Sequence, residues 1–107
     1  MIKVVMFVHR RPGMAFEAFK DHYETVHAPM ALAKFRHLRR YVRNYIAPGP
    51  AGSPAPLCDC VTELWFDDLE SLQAQGQEIA GDAELEADEK TFMDRSRNSS
   101  HVVEERG

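Results

Sequence analysis

The stretch DHYETVHAP, residues 21–29, carries two imidazoles, His22 and His27, five positions apart, with Pro29 two residues further on. Imidazole is the side chain best matched to proton transfer near neutral pH, so the placement of each ring decides what chemistry is open to it. His27 follows Tyr23 by four residues, on the helix side that also carries Phe16 and Phe19, and its ring is expected in the cavity between that helix and a sheet. A helix C-terminus favours the protonated ring and burial opposes it, a balance that suits general acid–base catalysis. The competing reading is a core histidine bonded to a backbone carbonyl that holds the His-Ala-Pro turn. His22 lies at the margin of the same stripe and reads as a partly exposed residue beside a ligand cavity. At 3.6 residues per turn, five positions are about 140° apart, so the two rings are expected to diverge and no metal site is expected from them.

Further candidates lie on strands. Arg43 and Asn44 must point to opposite faces, and Asn44 is expected on the helix side, where its amide would position a substrate oxygen beside His27. Tyr23, Tyr41, Tyr45 and Trp65 are candidate walls for an aromatic ligand, with core or dimer interface as the alternative. Glu63, between Val61 and Trp65 on its strand face, reads either as a base of raised pKa or as a carboxylate paired with Arg43 or Arg39. Asp59 and Asp94 read as turn and helix-end groups, either of which could orient a histidine, while His9 and His37 are expected to face water. Cys58 and Cys60 do not supply the four ligands of a structural zinc site and are expected to be reduced thiols.

The elements that must position these groups follow from periodicity. Ile2 to His9 reads as a strand with apolar residues on both parities, followed by the turn at Pro12-Gly13. Phe16, Phe19, Tyr23, Val26 and Met30 form an amphipathic stripe, and Pro29 should end or kink that helix near His27. Arg39 to Ala47 and Cys60 to Phe66 read as strands, joined by the Pro- and Gly-rich loop 48–56, expected to lie near a ligand entrance. Asp67 or Asp68 caps a second helix, which the acidic, Gly-interrupted stretch QGQEIAGDAELEADEK should break into shorter pieces with its charges solvated. A last strand is expected near Ser100 to Glu105.

The order strand, helix, strand, strand, helix, strand implies an α+β, ferredoxin-like split βαβ sandwich, an antiparallel sheet with helices on one face. Residues 1–107 are expected to form one domain. Strands apolar on both sides would leave one sheet face bare, and a second copy packed sheet to sheet would cover it, giving a homodimer. A net charge of −4 gives no basic footprint for nucleic acid, and the longest apolar run near the start, Val4 to Val8, is far too short to span a membrane. The expected setting is cytoplasmic.

These pieces together resemble the EthD domain family, within the dimeric α+β barrel superfamily. The resemblance rests on MIKVVMFVHRRPGM at the start, FKDHYETVHAP from Phe19, RRYVRN from Arg39, ELWFDDLESL from Glu63 and FMDRSR from Phe92. In the family pattern the position of His22 is usually aromatic and that of Tyr23 usually Trp, so a role for His22 is not carried over. The resemblance implies a dimeric α+β barrel without a cofactor, acting on a small aromatic or polyketide-like substrate by decarboxylation, dehydration or cyclisation. Two alternatives remain: a non-catalytic dimer that binds a small aromatic ligand, and a haem- or quinol-type monooxygenase. Fold alone does not choose among them.

Overall fold

The computed structural model describes residues 1–107. The chain runs β1 (Ile2–Val8), α1 (Phe16–His22), a π-helical turn (Tyr23–His27), α2 (Ala28–Lys34), β2 (Leu38–Tyr45), β3 (Cys60–Phe66), α3 (Leu69–Ile79), α4 (Ala83–Phe92) and β4 (Ser99–Val103). The strands form one antiparallel sheet in the order β2-β3-β1-β4, the split sandwich expected from the element order. The first crossover contains α1 and α2 joined by the π turn, and the second contains α3 and α4. Strand limits differ from expectation by one or two residues, and β3 matches it.

Register decides which parity is buried. Val4 pairs with Leu64 and Val8 with Cys60, and these four residues are buried with Thr62 and Phe66 beneath the helices. Phe19, Tyr23, Ala28, Phe92 and Met93 close over Val8 and Cys60 as the main core, while Val4, Leu64 and Phe66 form a second cluster with Leu72 of α3 packed against it. The opposite parity, including Val5, Phe7, Val42, Val61 and Trp65, forms a partly exposed face that no helix covers.

Side-chain caps set the starts of α3 and α4. Asp68 Oδ1 accepts from the Ser71 N–H at 2.8 Å, and Asp82 Oδ1 accepts from the Leu85 N–H at 2.9 Å. The acidic stretch breaks between α3 and α4 at Gly81, whose φ of 74° is a left-handed conformation that glycine adopts without a Cβ penalty.

The form of the break at Pro29 shapes the site. The α-helix is interrupted near His27, as Pro29 implies, but by a π turn rather than a stop: the Ala28 N–H bonds to the Tyr23 carbonyl five residues back, and α2 carries the helical path on to Lys34. In an uninterrupted α-helix the Pro29 ring would press on the Thr25 carbonyl and leave it without a donor. Widening the preceding turn starts a new helix at Ala28 and puts Pro29 in its first turn, where a missing N–H costs little. The extra residue also shifts the helical phase. Val26, expected on the core stripe, is 40% exposed, whereas His27, Ala28 and Ala31 are buried.

Phe92 is the ring around which these segments meet, with centroids of Phe19, Tyr23, His27 and His22 at 5.7, 5.3, 5.0 and 4.7 Å. It is fully buried. Phe92→Ala should therefore lower the unfolding free energy by ~3–5 kcal/mol in urea titrations. A loss below about 1 kcal/mol would show that the α4 contact does not anchor this core.

Candidate functional site

The two histidines of the opening motif converge. His27 Nδ1 lies 2.9 Å from Asp88 Oδ2, and His22 Nε2 lies 2.8 Å from Asp88 Oδ1. The expected divergence assumed an α-helical turn, and the π turn between the rings cancels it by taking up one more residue per revolution. Asp88 reaches them from α4, where Leu85, Asp88 and Phe92 share a face at i, i+3 and i+7. His27 is 5% exposed and enclosed between the π turn and α4, not over the sheet as expected. Its Nε2 takes no hydrogen bond from the chain and is not sealed from the surface. Burial lowers the pKa of His27 from the ordinary histidine value, while the Asp88 bond and charge oppose that shift.

Toward the sheet the next ring is Tyr23. Its hydroxyl bonds Thr62 Oγ1 at 2.8 Å and accepts from the Tyr41 hydroxyl at 3.3 Å. Burial pushes the Tyr23 phenol well above its usual range and the Tyr41 phenol up to about 12, so both remain proton donors at neutral pH. Beyond them, Arg43 donates to Glu24 through Nε at 2.6 Å and Nη2 at 3.1 Å, and the Tyr45 hydroxyl donates to the same carboxylate. The Arg43 bond holds Glu24 below the usual carboxylate range.

A cleft of about 1040 Å³ opens next to this network, between the start of α1 and the segment 46–59. Phe16, Lys20, Tyr45, Leu57 and the prolines of the loop wall it. Of the candidate ligand residues only Tyr45 lines this cleft; His27, Tyr23 and Tyr41 do not.

Three candidates lie on the other face of the sheet. Register places Tyr41, Arg43 and Tyr45 on the helix side, opposite Leu64, Thr62 and Cys60, so Asn44 points away from His27 and cannot position a substrate beside it. Asn44 Nδ2 donates instead to the Val61 carbonyl at 2.8 Å and to Glu63 Oε2 at 3.0 Å. Glu63 is not a base of raised pKa: its ion pair with Lys3, then the Asn44 bond, hold it below the usual carboxylate range. Nor does it pair with Arg43 or Arg39, which are engaged by Glu24 and Asp67. Trp65 lies on the same outer face between Lys3 and Arg40, 4.9 and 4.6 Å from its ring.

The residues that orient histidines are also not those expected. Asp59 holds the Arg10 backbone and guanidinium, and Asp94 accepts from the Ser96 hydroxyl. Asp88 was hidden in an acidic run that reads as solvated, although its helical phase with Leu85 and Phe92 marks it as inward. His9 and His37 do not simply face water: His9 Nε2 bonds the Leu57 carbonyl and His37 Nε2 bonds Glu78. Cys58 and Cys60 are buried free thiols. No group of three or more His, Cys, Asp or Glu side chains is arranged to hold a metal ion, and no helix is long and apolar enough to cross a membrane.

Sheet order, split crossovers and helices on one face define an α+β protein of the ferredoxin-like fold, here with a carboxylate bridging two histidines beneath its helices. Residues 11–96 match the EthD domain, and the chain belongs to that family. An ethyl tert-butyl ether D (EthD) family protein from Bacillus halodurans is similar at 26% identity, with 99% of this chain and 100% of that one covered and a TM-score of 0.73. HapK from Hahella chejuensis shares the fold at 13% identity and a TM-score of 0.66, covering 100% of this chain and 94% of its own. A protein from Bacteroides fragilis described as dimeric and ferredoxin-like is 14% identical, covering 95% and 91%, with a TM-score of 0.54. A search of curated proteins finds no match.

The lowered proton affinity of His27 has a consequence for stability. Between its folded pKa and the unfolded value of about 6.5, the unfolded chain binds more protons at this ring, so the contribution of His27 to stability falls as pH drops below about 6.5. Glu89, whose carboxyl pKa is raised by burial, acts with the opposite sign. Carboxylates with lowered pKa withdraw their contributions only at more acid pH, below about 4.5. Thermal unfolding of the wild type should therefore show Tm decreasing from pH 7.5 to 5, with a shallower decrease in His27→Gln. Identical slopes would mean that burial of His27 does not control the effect.

Proposed function

We propose that this protein is a cofactor-independent enzyme that acts on a small aromatic or polyketide-like substrate by proton transfer, as in decarboxylation, dehydration or cyclisation, with His27 as the acid–base group. The observation that carries this reading is the enclosed His27–Asp88 pair. A carboxylate on Nδ1 favours the tautomer with its proton there, leaves the Nε2 lone pair as the base, and stabilises the imidazolium formed when that base takes a proton. Tyr41, held protonated, donates to the Tyr23 hydroxyl in the ligand-free protein and would donate instead to a substrate phenol or carbonyl oxygen. Desolvation around His27 strengthens these interactions relative to water.

A second reading, a non-catalytic dimer that binds a small aromatic ligand, is favoured by one observation: the large cleft is walled by Phe16 and Tyr45 and not by His27. Both readings include a homodimer packed through the outer sheet face, supported by the partly exposed apolar parity of β1, β2 and β3. The buried free thiols support a cytoplasmic setting.

His27→Gln separates the two. It should keep the fold and lower turnover of an aromatic β-keto acid or polyketide-like substrate by about 10²-fold or more. Saturable binding without turnover, unchanged in His27→Gln, would replace the first reading with the second. Light scattering at micromolar concentration should return twice the chain mass, and a monomer would remove the homodimer from both.

A further inference from the structure

The outer shell of His27 holds a second imidazole that the reaction does not use. His22 and His27 occupy the two oxygens of one carboxylate, at 2.8 and 2.9 Å, and both rings rest on Phe92. Their access to water differs: the His27 side chain is 6% exposed, that of Asp88 10% and that of His22 25%. The other polar group at the pair is Thr91, whose hydroxyl donates to the Asp88 carbonyl at 2.6 Å and lies 3.4 Å from His22 Nε2. From its own turn His27 faces the Tyr23 ring at 5.6 Å, while Arg43 and Glu24 pair with each other beyond that ring.

One negative charge cannot serve two cations at full strength. An imidazolium formed first sees the whole Asp88 anion, whereas the second sees an already neutralised pair, so protonation of one ring disfavours protonation of the other.

We propose that Asp88 is the positioning residue that holds His27 in the Nδ1–H tautomer, and that His22, through the other oxygen of the same carboxylate, tunes the proton affinity of His27 according to its own charge. This rests on the reading of His27 as the acid–base group. When His22 is neutral, Asp88 supports a basic His27 Nε2. When His22 is protonated, Asp88 is neutralised and His27 becomes a weaker base.

Nitrogen-15 NMR of the histidine rings in the ligand-free protein from pH 5 to 8.5 tests this without substrate, so it fails or succeeds independently of turnover. In the wild type His27 should show the Nδ1–H tautomer; an Nε2–H tautomer overturns the role of Asp88. His22→Gln keeps a donor to Asp88 without the charge and alters a partly exposed position, so it should fold. It should raise the His27 pKa by about half a unit or more with the tautomer unchanged; an unmoved His27 titration overturns the coupling. Asp88→Asn should lower the His27 pKa and mix its tautomers. A folded Asp88→Asn variant with the wild-type tautomer and titration would overturn the positioning role.

Discussion

Pro29 has no N–H to give, and its ring occupies space that an α-helix reserves for the Thr25 carbonyl. The chain meets both demands by opening one turn to five residues, and much of the site follows from that single expansion. The wide turn rotates Val26 outward and His27 inward. It also brings His22 around to the face of His27, so that one carboxylate can hold both. π turns inside helices are uncommon and frequently accompany functional sites, because they re-aim side chains without breaking the element that carries them.

Asp88 must then be delivered to the correct height along the first helix. Asp82 does this through two simultaneous roles: it caps α4 at Leu85, and it accepts an ion pair from Lys34 Nζ at 2.8 Å near the end of α2. A residue that both starts one helix and ties it to another fixes their relative axial position, and Asp88 stands six residues further along. Phe92 completes the arrangement by packing beneath both imidazoles, so orientation comes from an ion pair at one end of α4 and from aromatic packing at the other.

Strands were the most legible part of the chain, because β3, Cys60–Phe66, has its ends and both faces written in local composition. Which face Asn44 takes was not legible. Parity says only that Asn44 and Arg43 oppose each other, and the choice is made by pairing with β3, where Arg43 lies opposite buried Thr62. The Glu63 partner was equally non-local, since Lys3 comes from a strand sixty residues earlier. His27 was recognisable as an unusual polar ring on an apolar stripe, but its convergence with His22 was not, since angular arguments from sequence take 3.6 residues per turn for granted. Asp88 combined both difficulties: a carboxylate among many, distinguished only by helical phase.

β1 is the first strand in the chain and an inner strand of the sheet, paired on one side with β3 and on the other with β4. Lys3 faces Val103 across nearly the entire length of the polypeptide. During vectorial synthesis, β1 therefore emerges from the ribosome with two unpaired edges, receives β3 after more than half of the chain has appeared, and keeps an open edge until residues 99–103 follow. Open edges invite pairing with other chains, and closure over long sequence separations is slow. Lys3 sits on that waiting strand, and a charge there disfavours intermolecular pairing before it joins Glu63 and Glu105. Lys3 thus completes two ion pairs in the finished sheet and puts a charge on the strand whose second edge is closed last.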